Sequence, residues 1–294
     1  MSHLHRLDAH AGEPAAVIGA KAHGLNELLR LGLPVPPGFV IGAAACREFL
    51  RDGSFPDGLG AALATLGAPL VAVRSGAAVS MPGMMDTVLG VAPGDVRAAV
   101  EAVFSSWRTP RAVTYRELHG IAHDLGTAVI VQAMVHGDRD QRSGSGVAFS
   151  RDPSTGSREF FGDVLFGRPG TDVVSGEHAT RPLAELAERE PAVWAELSAA
   201  LRRLESHYRD ACHVEFTVES GRLWFLQVRA GGLVGRAAVR VAVDLADERV
   251  IDRRTAVGRV SERDLRAART PRIRAGAGLD VLARGRGAGP GVAA

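Results

Sequence analysis

The sequence predicts an α+β protein in which helices and antiparallel strands alternate along one chain. Helical periodicity appears early, with Leu25, Leu28 and Leu29 on one face, and again over 183–209, where Trp194, Leu197, Leu201, Leu204 and Tyr208 recur every three or four residues. Strand patterns lie between them, at 70–75 and in the buried run AVIVQAMV. Over 212–231 two alternating runs flank Ser-Gly, the signature of a hairpin. At 294 residues and 46% hydrophobic, the chain can bury a core in one large domain or two lobes.

In chain order, the first helix holds Lys21 in its first turn and is stopped by Gly32 and Pro34. PVPPGFVI enters a strand through a proline-stiffened turn, and 43–51 reads as a short helix. In VAVRSG, Val71 and Val73 face one way and Ala72 and Arg74 the other, so the strand delivers Arg74 near its end. A loop of small residues and methionines, AAVSMPGMMDT, follows. Read alone it is either a flexible ligand loop or a methionine cluster packing into the core. Segments 95–107 and 111–119 read as helices. SGSGVAFSRDPSTG then supplies a short strand between tight turns, in an antiparallel region. Pro191 breaks the long helical pattern in two.

The late hairpin carries the most chemistry. Pairing Glu219 with Leu223 across a three-residue turn puts Val214, Phe216, Val218, Trp224, Leu226 and Val228 on one face. The same register sets Glu215 opposite Gln227 and His213 opposite Arg229 on the other. That face is either a solvated polar surface or a site for metal and phosphate.

With 35 basic and 33 acidic residues, the net charge of +2 creates no field that points to nucleic acid, and a small ligand is the expected partner. No apolar run approaches the roughly 20 residues of a membrane span, and the first residues lack a signal-peptide core. Neither a membrane nor a nucleic acid is therefore expected as partner, and the cytoplasm is the expected compartment. Cys46 and Cys212 have no metal-ligand spacing and read as reduced, buried thiols. Lys21 is the one lysine in a chain whose other basic residues are arginine, so a site that needs a compact ammonium is a reason for its survival.

Several segments together resemble the nucleotide-binding domain of pyruvate, phosphate dikinases: IGAKAHGLNELLRLGLPVPPGFVI, VRSGAAVSMPGMMDTVLG, FSSWRTPRAVTYRE, GTAVIVQAMV, SGSGVAFSRDPSTG and HYRDACHVEFTVESGRLWFLQVRAG. They fall in the family's order over residues 17–265. The resemblance implies an ATP-grasp fold holding ATP between two lobes, here 1–125 and 126–232, followed by a helical segment, 233–272, and a flexible Gly-rich tail, 273–294. It implies Arg74 and Arg229 as catalytic phosphate-contacting arginines, Lys21 as the phosphate lysine, and Ser80, Gly83, Met84, Asp86 and Thr87 as the loop closing over the phosphates. Glu215 and Gln227 would contact nucleotide or metal, Glu215 being the Mg²⁺ ligand and Gln227 a second one. Gln132 and Met134 would pass the adenine, and Asp163 occupies a place where the family has an acidic residue.

The implied activity is that of a kinase or phosphotransferase module using ATP and Mg²⁺. The β-phosphoryl group would pass to a histidine on a separate phosphohistidine-domain protein while orthophosphate accepts the γ-phosphoryl group. The family's mobile domain, with its histidine in a Thr-Ser-His-Ala context, has no counterpart among the ten histidines, so this chain is expected to be a short form that does not convert pyruvate alone. Three further departures stand out. His213 replaces an aspartate, the basic residues after Arg229 give way to AGGLVGRA, and a helical insertion after the methionine loop is missing. These favour a second reading, a non-catalytic nucleotide-binding or regulatory remnant.

Overall fold

The computed structural model describes residues 3–168 and 179–270. Two antiparallel sheets organise them. In the first, β1 (Leu4–Arg6), β2 (Gly38–Ile41), β3 (Val71–Gly76), β4 (Thr87–Val91) and β5 (Ala128–Ala133) are ordered β1-β2-β5-β3-β4. In the second, β6 (Gly144–Phe149), β7 (Phe161–Phe166), β8 (Arg181–Pro182), β9 (Cys212–Glu219) and β10 (Arg222–Ala230) are ordered β10-β9-β6-β7-β8. Helices flank the strands, as the α+β pattern requires.

The chain divides into two compact units, one of Met1–Ala148, Gly162–Ala200 and His213–Arg229, the other of Phe149–Phe161, Leu201–Cys212 and Ala230–Ala294. In the first unit, the core beneath the first sheet joins Phe39, Ile41, Val71, Val73, Val129 and Val131 to Cys46 from helix Ala43–Asp52 and to Val100, Val103 and Phe104 from helix Val96–Ser106. The apolar alternation read from the sequence places these side chains on one face. Helix Ala15–Arg30 packs on β3 and β5 with Leu25 and Leu28 fully buried.

In the second unit, helix Gly235–Asp247 buries Val241, Ala242 and Leu245 against Ile251 and Ala256. Helices Arg253–Arg259 and Glu262–Ala268 follow, the last opened by a capping box between Ser261 and Asp264. Arg151 is fully buried there and donates to Glu205 from Nε and Nη2, with Glu248 3.3 Å and Asp244 3.5 Å away. Such a charge survives burial only with this many carboxylates around it. The break at Pro191 is present: helix Glu185–Arg189 ends and Pro191–Tyr208 begins at the proline. A proline at the first helical position loses no hydrogen bond, because that N–H has no intrahelical acceptor. Residues 273–294, read as a flexible tail, lie outside the described residues.

The hairpin differs from the expected register near its turn. Only Ser220 and Gly221 separate the strands, both at positive φ, 51° and 78°, which is the two-residue turn that matches the strands' own twist. Leu223 and Phe225 are therefore buried, and Trp224 and Leu226 are only partly so. The N–H of Phe225 points away from β9, to the carbonyl of Pro34, whereas that of Gly231 points toward it, to Ala211. The parity of β10 thus inverts between these residues, where Gln227 and Val228 are buried in succession. One extra residue in β10 accounts for this, and it restores the expected Glu215–Gln227 pairing at the far end.

No helix among the described residues is long and apolar enough to cross a membrane.

Candidate nucleotide site

Arg74 enters the site from the fourth residue of β3, on the face opposite Val71 and Val73. Its guanidinium is buried, donating from Nη1 to the Leu226 carbonyl at 2.7 Å and from Nη2 to Glu215 Oε2 at 3.3 Å. The carbonyl belongs to β10, next to the buried Gln227. With the Gln227 amide oriented to satisfy its neighbours, its nitrogen donates to Glu215 Oε1 at 3.1 Å and its oxygen accepts from Arg229 Nε at 2.7 Å. Arg74, Glu215, Gln227 and Arg229 thus form one chain of charge-assisted bonds across two sheets of the same unit.

Lys21 joins this cluster through a close backbone approach. Gly19 adopts φ 80° inside the first helix, a Cβ on it would collide with the Gly76 carbonyl, and Ala20 N–H donates to Ala77 O at 3.0 Å. The glycine at 19 lets the helix start lie on the end of β3, which seats Lys21 beside Gly76. Burial lowers the Lys21 ammonium to about 7, and the positive charges of Arg74 and Arg229 add to this against the opposing pull of Glu215. Burial also lowers the Arg74 guanidinium, with Glu215 opposing. The His213 imidazole is lowered by burial first; Glu215 raises it and Arg229 lowers it further.

The remaining expected residues make other contacts. Gln132 is buried and spends its amide on Pro36 O at 2.8 Å. Met134 is half-buried, with its N–H on Leu70 O. In the loop, Ser80, Gly83, Asp86 and Thr87 are exposed, and Met84 packs partly against Met81, Trp107 and Ala112. The methionines therefore pack on their underside while the polar residues face solvent. Asp163 accepts from Thr180 Oγ1 at 2.9 Å.

The Leu226 carbonyl and the Gly19–Gly76 contact were missed in the sequence reading. The glycines beside the two cations, in IGAK and RSGA, were the available signal for the second. Among the described residues no three His, Cys, Asp or Glu side chains converge as a metal cage. A single carboxylate at Glu215 fits Mg²⁺ when phosphate oxygens complete the shell, whereas the His213 imidazole suits softer ions.

Residues 15–67 and 54–193 match the family of the pyruvate phosphate dikinase AMP/ATP-binding domain. The chain belongs to this family. Family membership gives it the role of a nucleotide-binding domain, and its two antiparallel sheets with flanking helices are the α+β arrangement expected of the ATP-grasp fold. Among similar proteins, pyruvate, phosphate dikinase from Rhizobium meliloti (strain 1021) is 33% identical over 394 residues, 94% of this chain and 44% of that protein. Pyruvate, phosphate dikinase 2 from Oryza sativa subsp. japonica is also 33% identical, over 94% of this chain and 43% of the relative. The chain spans less than half the length of these relatives, and a match longer than the chain itself means that the Rhizobium dikinase carries inserted segments. Among solved structures, D-alanyl-alanine synthetase A from Vibrio cholerae aligns at TM-score 0.40 and 14% identity, covering 69% of this chain and 52% of that one. The D-alanine–D-alanine ligase of Bacillus anthracis complexed with ATP aligns at 0.36 and 15%, covering 82% and 62%.

Proposed function

We propose that this dikinase-family domain binds ATP with its phosphates at the Lys21–Arg74–Arg229 cluster and passes a phosphoryl group to a histidine supplied by a separate protein. The supporting observation is the convergence of the three cations on Glu215 and Gln227. In the free protein Glu215 pairs with Arg74 and the neutral Gln227 amide accepts from Arg229, so the single carboxylate leaves the cluster net positive. A triphosphate replaces those partners with anionic oxygens, and the buried Arg74 and the exposed Arg229 then stabilise charge spread over the transferring group. Mg²⁺, held by Glu215 with Gln227 as a second ligand, would supply further neutralisation of the phosphates. Loop residues Ser80, Gly83, Met84, Asp86 and Thr87 cover the phosphates, Gln132 and Met134 lie toward the adenine, and orthophosphate is the co-substrate that takes the γ-phosphoryl group.

A second reading, a nucleotide-binding protein without transfer activity, is favoured by His213, whose imidazole is a poor Mg²⁺ ligand beside Glu215. Incubating the purified chain with ATP, Mg²⁺, phosphate and a separately produced dikinase histidine domain separates the two. AMP formation that requires the added domain and is lost in Arg229→Ala supports transfer. Saturable ATP binding with no AMP supports the second reading, and no ATP binding at millimolar nucleotide overturns both.

A further inference from the structure

The methionine loop leaves the cation cluster by direct continuity of the chain, since it follows Gly76, where a methyl group would touch the Lys21 Cβ at 3.5 Å. What holds the loop lies on two helices, Val96–Ser106 and Pro110–His119. Ser106 is buried, accepts the Asp86 N–H on its hydroxyl at 3.2 Å, donates to Val103 O at 2.7 Å and lies 3.9 Å from the Met85 sulfur. Met81 is buried against Trp107 and Ala112, with Met84 and Met85 packed on the same cluster. Met84 N–H closes a turn onto Met81 O, and Gly83 at φ 68° carries the chain around it.

Trp107 is itself held from two sides. Its indole N–H donates to His123 O at 2.8 Å, and the Arg116 guanidinium stacks 4.1 Å over its ring. Arg116 is buried; it donates from Nη1 to Trp107 O at 2.9 Å and from Nε to His123 Nδ1 at 3.1 Å. These partners are a backbone carbonyl, an imidazole nitrogen and an aromatic face. Placing a guanidinium there is costly relative to an apolar side chain of similar length, and what it achieves is a fixed indole orientation.

We propose that Ser106, Trp107 and Arg116 form a positioning seat for the phosphate loop, fixing its underside so that its polar upper edge meets the β- and γ-phosphates of the nucleotide. This rests on the ATP-binding reading above. None of the three touches the nucleotide; they act through Met81, Met85 and Asp86.

Ser106→Ala removes one hydroxyl without filling or overpacking the site. It is expected to weaken ATP about fivefold, the equivalent of one lost hydrogen bond, while AMP stays within about twofold. Arg116→Lys keeps the charge but loses the fork and the stacking, and should give the same split. In the nucleotide-free protein, hydrogen exchange at the Asp86 amide should accelerate in Ser106→Ala. Equal weakening of ATP and AMP, or no weakening, overturns the seat. If the unaltered chain binds no ATP, the functional reading fails on its own, and the exchange measurement still decides the seat: an unchanged Asp86 amide sinks it.

Discussion

Nucleotide binding should draw a proton into the site through Lys21. With its ammonium lowered to about 7 by burial and by Arg74 and Arg229, Lys21 is about three-quarters deprotonated at pH 7.5 and about one-tenth at pH 6. A triphosphate offsets the repulsion from the two arginines and raises the lysine back toward its ordinary value. Binding should therefore take up about 0.7 proton at pH 7.5 and about 0.1 at pH 6. Titration calorimetry of ATP in buffers of different ionisation enthalpy reads this number as a slope. Lys21→Arg, whose guanidinium stays charged at both pH values, is the reference, because the difference between the proteins cancels proton exchange on the nucleotide. Equal uptake by both proteins at pH 7.5 would refute the depressed lysine. The sign for stability follows from the same shift. Between about 7 and 10.5 the unfolded chain holds a proton that the folded chain has released, so this group makes stability rise with pH across that window.

Gly19→Ala should destabilise the protein by roughly 3 kcal/mol or more, because the new Cβ meets the Gly76 carbonyl at a positive φ; urea unfolding measures it, and a loss under about 1 kcal/mol contradicts the close approach. Arg151→Met should cost about 3–5 kcal/mol by leaving Glu205, Glu248 and Asp244 without their shared cation. A midpoint unchanged in urea would show that the network is dispensable. Both thiols should resist alkylation in the native protein at pH 8, since burial pushes Cys46 up to about 11 and raises Cys212 as well, the latter with help from Glu205 and Asp210. Rapid labelling of either thiol before denaturant is added goes against this.

How far the sequence reaches depends on whether a feature is written in side-chain period or in backbone geometry. Leu25, Leu28, Leu197, Leu201 and Leu204 are buried as their spacing requires, and helix breaks fall at Gly32 and Pro191. Arg74 could be placed at its strand end because its neighbours Val71 and Val73 must face the core. The hairpin turn could not, since a two-residue and a three-residue loop fit the same letters until φ at Ser220 is known. No local pattern marks Arg116 or Arg151 as buried, yet both are, because their acceptors come from residues distant in sequence or from backbone carbonyls.

The sequence by itself determined the α+β class, the main helices and the late hairpin, the family resemblance and the identity of the cations, since each is carried by local pattern and composition. Only the tertiary structure decided that Arg74 is bound to Glu215 and the Leu226 carbonyl, that Gln227 links Glu215 to Arg229, and that Lys21 sits where its charge is costly. These depend on a one-residue slip in a strand and on a glycine-to-glycine backbone contact. Such features have no side-chain period, so they become visible only when distant segments of the chain are folded together.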